Sequence, residues 1–188
     1  MKKTDKTPWF DQGFKLLKTA GAAGLTIENL TRAMGKTKGA FYHHFKNRHD
    51  YSQKLLEQWE EKQTGDIIRD SQVQKTLETI NDALVTLSEK AMDPETEVAV
   101  RAWALRDPLA RKFQERIDTR RVDFLKTMFS LMTRDPDQVE FFSLIRYCFY
   151  IGSHQIIPTM DEDRYKQNLT ALMKMFEHSI HPPKKPKK

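Results

Sequence analysis

Between Leu25 and Asp50 the chain reads LTIENLTRAMGKTKGAFYHHFKNRHD, a stretch with room for two short helices and a glycine turn between them. Thr26 is an N-cap residue, Glu28 falls in the positive first turn that follows, and Leu25 is placed to staple against Leu30. Ile27, Leu30 and Met34 share one helical face. Gly35 supplies the left-handed backbone that ends this helix, and Thr37 caps the next one two residues later. The order is that of a helix-turn-helix.

The second helix is oriented by its own periodicity. At about 100° per residue, Phe41 and Phe45 lie close together and point inward against Leu30. The opposite face then carries Lys36, Gly39, Ala40 and His43, with Tyr42 and Lys46 on one flank and His44 on the other. Such a face suits a major groove: glycine admits close backbone approach, alanine touches a thymine methyl, and the polar side chains reach bases or phosphates. The partner this chemistry indicates is double-stranded DNA.

The run Lys38 to Phe45, KGAFYHHF, with Thr26, Leu30 and Gly35 at these spacings, resembles the DNA-binding region of TetR-type transcriptional regulators over roughly Trp9 to Tyr51. The resemblance implies an all-helical dimer with N-terminal readers and a divergent C-terminal domain that often binds a small effector. It also implies phosphate contacts from Thr26, Thr37, Lys38, Tyr42 and Arg48, with base readout from Gly39, Ala40 and His43. Two positions depart from the pattern. Thr31 stands where alanine usually allows close packing, and Lys36 stands where a small apolar residue is usual. Lys36 is either an added phosphate contact or a solvated turn residue. Lys38 falls nearer the buried side of the wheel and must reach outward along its stem.

Charge is distributed accordingly. Residues 1–50 hold ten Lys and Arg against four Asp and Glu, residues 51–181 hold 18 against 22, and the tail 182–188 holds four lysines. A basic reader joined to a mildly acidic domain is the expected asymmetry. The domains are therefore read as a DNA-binding domain over 1–50, a helical effector-binding and dimerisation domain over 51–181, and a disordered Lys/Pro tail over 182–188. The tail either adds salt-sensitive affinity for DNA or is a solvated end.

The sole cysteine, Cys148, permits no intramolecular disulfide, and the start of the chain lacks an apolar signal segment. The expected location is cytoplasmic. The apolar stretch Phe141 to Ile157 contains Arg146, His154 and Gln155, which favours a buried helix over a membrane span.

Four times a capping residue precedes proline, at Thr7-Pro8, Asp93-Pro94, Asp107-Pro108 and Asp135-Pro136, and each pair marks a helix start. Helical stripes fill the intervals: Phe10, Phe14 and Leu17; Tyr51, Leu55 and Trp59; Leu77, Ile80, Leu84 and Leu87. A short helix is expected over 93–105, and longer ones over 107–132, 135–157 and 161–179. The prediction is an all-α chain of about nine helices, without strand or repeat.

The helix over 135–157 is apolar on two faces, one with Val139, Phe142, Ile145, Phe149 and Ile156, the other with Phe141, Leu144, Cys148 and Ile151. Such a helix is either central or shared with a partner. The family resemblance implies a four-helix homodimer interface from the last two helices. Its candidates are Phe142, Ile145, Phe149, Gly152, Leu169, Leu172 and Phe176; the alternative is that one monomer buries both faces. Trp103, Phe124, Met128, Phe129, Tyr147, Tyr150 and His154 are candidates for an aromatic effector pocket, although stripes of this kind are also ordinary core. Arg101, Asp118 and Arg121 are read as a charge cluster, either an ion pair or an acid-binding site.

No metal or cofactor is expected. His43, His44 and His49 complete no ligand set, Cys148 lacks a base nearby in sequence, and there is no phosphate loop or serine elbow. The expected function is that of a ligand-responsive, sequence-specific regulator rather than an enzyme, most simply a repressor. A nucleoid-type DNA binder without an effector and a helical enzyme with an attached reader are the alternatives.

Overall fold

The computed structural model describes residues 5–62 and 93–180. Eight α-helices account for them: α1 (Thr7–Ala20), α2 (Ile27–Met34), α3 (Lys38–His44), α4 (Arg48–Glu60), α5 (Pro94–Ala104), α6 (Pro108–Phe129), α7 (Pro136–Gln155) and α8 (Glu162–Ile180). A single 3-10 turn, Ala22–Gly24, follows α1. The all-α expectation holds; the helix predicted around Leu77 to Leu87 lies outside the described residues.

Most helix starts are built as the sequence indicates. Asp93 accepts from the Thr96 backbone N–H at 3.2 Å, Asp107 from Leu109 and Ala110 at 2.8 and 3.1 Å, and Asp135 from Asp137 at 3.0 Å. Each carboxylate meets the positive end of a helix dipole. The first start differs. Thr7 lies inside α1, and the carboxylate of Asp5 accepts from its backbone N–H at 2.9 Å. Pro8 occupies the first turn, and Asp5, three residues before it, supplies the side-chain acceptor expected of Thr7.

Two compact units make up the chain, one containing residues 5–62 and 93–117, the other residues 118–180. The boundary expected at residue 50 thus falls inside the first unit. That unit keeps α4 and adds α5 and the start of α6, because Leu55, Leu56, Trp59, Val100, Trp103, Phe113 and Ile117 bury their side chains in the same core as the reader helices. Each fully buried side chain of this size contributes roughly 1.5–3 kcal/mol.

The second unit packs α7 and α8 with the later part of α6 around Phe129, Phe142, Leu169, Met173 and Phe176. Phe142 and Phe176 face each other with ring centroids 4.5 Å apart. Three residues assigned by sequence to a dimer interface, Phe142, Leu169 and Phe176, are therefore 4%, 0% and 4% exposed within one protomer. They are core residues. Ile145, Phe149, Gly152 and Leu172 are half-buried, while Phe141, Leu144 and Cys148 point outward.

Candidate nucleic-acid interface

The reader is held from beneath by an aromatic cluster. Phe41 and Phe45 are fully buried, with their centroids 5.2 Å apart; Trp9 meets Phe41 edge-on at 5.6 Å, and Tyr51 meets Phe45 at 4.9 Å. Tyr51 donates from its hydroxyl to the Trp9 carbonyl at 2.9 Å, and burial pushes its phenol well above the ordinary value. Because α3 cannot rotate without moving Phe41 and Phe45 out of this cluster, its opposite face is fixed as well.

Both ends of the turn are closed. Thr26 accepts from the Asn29 N–H at 3.1 Å, Gly35 adopts φ +61°, and Thr37 accepts from the Ala40 N–H at 3.2 Å. Asn47 caps α4, and Asp50 reaches back to the chain before it. Asn47 Oδ1 accepts from the Asp50 N–H at 2.9 Å, and Asp50 Oδ2 accepts from the Lys46 N–H at 2.9 Å.

The outer face of α3 presents Gly39, Tyr42 and His43, all exposed, with Lys36 and Thr37 before them and Lys46 after. Gly39 is informative because the fold does not require it. Its φ is not positive, and an added Cβ would meet only Thr37 Oγ1, at an ordinary 3.6 Å. The absent side chain leaves bare backbone on the outer surface, where a ligand rather than the core gains from it.

Four candidates sit otherwise than sequence reading placed them. Ala40 is half-buried and packs on the core. His44 is half-buried against Trp9, 5.7 Å between ring centroids, and its Nδ1 has no hydrogen-bond partner. At −60° from Phe41 on the wheel, His44 lies near the inward side, so it supports α1 rather than flanking the outer face. Burial holds its imidazole below the ordinary value; His43 and Lys6 act in the same direction and Asp5 opposes them.

Arg48 donates from Nε to the Leu25 carbonyl at 2.7 Å and from Nη2 to the Ala22 carbonyl at 3.1 Å. It anchors the turn before α2 instead of extending as a phosphate ligand. Lys38 pairs with Glu28 at 2.5 Å, with both side chains exposed. The pairing holds the Glu28 carboxyl below its ordinary value and raises the Lys38 ammonium above its own. Glu28 was read from sequence only as a dipole partner for α2. It belongs to this surface, and no helical spacing signals a contact made across a turn.

Residues 10–50 match the family described as bacterial regulatory proteins, tetR family. The reader belongs to the TetR family. Two solved structures share their fold with most of this chain. A transcriptional regulator from Rhodococcus sp. Rha1 superposes with a TM-score of 0.76 at 12% identity, over 94% of this chain and 97% of that one. A proposed TetR-family transcriptional regulator from Rhodococcus sp. superposes with a TM-score of 0.62 at 15% identity, over 90% and 96%. No curated protein sequence matches the chain. Among the described residues, no helix is long and apolar enough to cross a membrane, and no three His, Cys, Asp or Glu side chains are grouped to hold a metal.

The residues expected in an effector pocket divide between the units. Trp103 belongs to the core of the first, whereas Phe124, Met128, Phe129, Tyr147, Tyr150 and His154 belong to the second. Phe129 is packed between Phe142 and Phe176, at 5.9 and 5.7 Å, and is a core ring. Tyr147, Tyr150 and His154 form a polar aromatic row along α7. Tyr147 donates to Asp118 at 2.7 Å, Arg121 lies 5.5 Å over the Tyr150 ring, and His154 meets Tyr150 at 4.9 Å. Arg101 pairs with Glu97 at 2.9 Å in the first unit, and Asp118 and Arg121, the other residues of the expected charge cluster, belong to the second.

Proposed function

We propose that this chain is a homodimeric transcriptional repressor that binds a palindromic DNA operator and releases it when a small molecule binds the C-terminal unit. The observation that carries the reading is α3 itself. Its inward face is fixed by Phe41 and Phe45, and its outward face offers a bare glycine backbone, His43 and Tyr42. Gly39 and His43 are the base readers. Thr26, Thr37, Tyr42, Lys46 and Lys36 contact phosphates, which positions α3 without reading sequence.

Dimerisation uses the outward face of α7. Phe141 is 59% exposed and Leu144 49%, with Cys148 exposed one turn further on and open space around Gly152. A stripe of this spacing suits a second copy, and two-fold symmetry supplies the two readers that a palindrome needs. The effector is held by Tyr147, Tyr150 and His154, whose rings and polar atoms fit a small planar polar compound.

Selection of duplexes from a random pool tests the reading. The expected result is an inverted repeat with half-sites one helical turn apart. Recovery of unrelated sequences would replace it with a nucleoid-type binder. Leu144→Glu should give folded monomers that bind operator more weakly, read by light scattering and fluorescence anisotropy; an unaltered dimer removes this face from the interface.

A further inference from the structure

Between Leu25 and His49 the chain carries five Lys and Arg residues and a single acid, Glu28. That acid occupies the second position of α2, and Lys38 occupies the first position of α3, so their contact joins the starting turns of the two helices. Thr26 and Thr37 cap those same two turns. An exposed ion pair adds little to the stability of a fold. Its location gives it another consequence.

We propose that Glu28 is a specificity-determining residue that withholds Lys38 from the DNA backbone and so keeps affinity for nonspecific duplexes low. The inference rests on the reading of this domain as a DNA reader. Nonspecific binding comes from ammonium and guanidinium groups that neutralise phosphates and release counterions, and each such contact steepens the salt dependence by about 0.9 in log-log slope. While Lys38 is held at 2.5 Å by a carboxylate, it neutralises that carboxylate instead of a phosphate. Moving the ammonium away also uncovers a negative charge on a surface that must approach a polyanion. Asp50, the next acid along, cannot act in this way, since it accepts from the Lys46 backbone N–H and pairs with Lys54.

The experiment measures binding of the full chain to a random-sequence duplex between 50 and 200 mM salt. Glu28→Gln removes the charge with little change of shape. It should steepen the slope by about 0.9, so that affinity falls about threefold further across this range than for the unaltered chain. At 50 mM salt the variant should bind the random duplex several-fold more tightly. Glu28→Ala should do the same, and thermal melts report whether either variant is folded. In a Lys38→Ala background, Glu28→Gln should add no slope, because no ammonium remains to be released.

An unchanged slope in both Glu28 variants overturns the proposal while leaving DNA binding intact. A steepened slope that persists without Lys38 also overturns it, since Glu28 would then act as a general repulsive charge. Absence of duplex binding by the unaltered chain overturns the reader assignment and this proposal with it.

Discussion

Arg116 grips both carboxylate oxygens of Glu60, with Nε and Nη2 at 3.1 and 2.7 Å, and its guanidinium lies 4.2 Å over the Phe113 ring. This fork ties the last turn of α4 to α6. The Glu60 side chain is 13% exposed and that of Arg116 37%, so removing the arginine leaves a largely covered carboxylate without this partner. Arg116→Ala should destabilise the chain by about 1–2 kcal/mol, less than a fully buried pair would cost because water reaches the guanidinium. Urea unfolding of Arg116→Ala, Glu60→Gln and the double variant checks this. Losses that add in the double variant would show that the two side chains are not coupled.

Arg48→Ala should act on the fold before it acts on DNA. Both of its hydrogen bonds go to carbonyls of the turn between α1 and α2, and charge-assisted bonds of this kind contribute about 1.5–3 kcal/mol, with the lower end apt for an exposed side chain. The melting temperature should fall while the salt slope for duplex binding stays unchanged. Lys46→Ala should behave oppositely, lowering the slope by about 0.9 with little thermal effect.

Gly39→Ala separates folding from recognition. The helix gains about 0.5–1 kcal/mol, since alanine is the better helix former and the added Cβ meets ordinary space. Operator affinity should fall, because the methyl occupies the bare backbone surface. His43→Ala should cost about 1–3 kcal/mol at one base position and leave random-duplex binding nearly intact. Binding arrays covering all single-base operator changes measure both.

Gly13→Ala should be severe. A Cβ at this position would stand 1.9 Å from the Tyr51 hydroxyl, which is engaged with the Trp9 carbonyl. Displacing the ring breaks that bond and disturbs the aromatic cluster, for a loss of about 2–4 kcal/mol. Tyr51→Phe in the Gly13→Ala background removes the clashing oxygen and should recover part of the loss, read by circular dichroism.

Acid should loosen the reader through His44. Its folded-state pKa is depressed by burial, with His43 and Lys6 adding to the effect, so the folded state prefers the neutral ring. The stability this contributes is present above the unfolded histidine value near 6.5 and is lost as pH falls through the lower folded value. Melting temperatures of the native chain and His44→Phe, compared between pH 7.5 and 5, should diverge, with the variant losing less. Parallel decline would assign the acid sensitivity elsewhere.

Local chemistry explains what sequence made legible. Caps at Thr26, Thr37, Asp93, Asp107 and Asp135 and the left-handed Gly35 act within four residues, and Phe41 and Phe45 report the buried side of α3 by spacing alone. Contacts between distant segments left no such trace. Arg48 reaches back 23 residues to Leu25, Glu28 crosses a turn to Lys38, and which aromatic face of α7 is covered depends on where α8 lies. Phe142 and Leu144 are equally apolar in a helical wheel, yet only Phe142 has Phe176 beside it.

The brevity of α3 has an arithmetical consequence. Seven residues make a rod about 10 Å long, which lies alongside roughly three base steps of about 3.4 Å each. Three fully read positions, with four letters at each, name about 64 addresses. A genome offering at least ~10⁶ positions repeats any such address many thousands of times. On the function proposed above, one reader would recognise a word too short to be unique, and a gene would be singled out only by the joint occurrence of two words at a fixed separation.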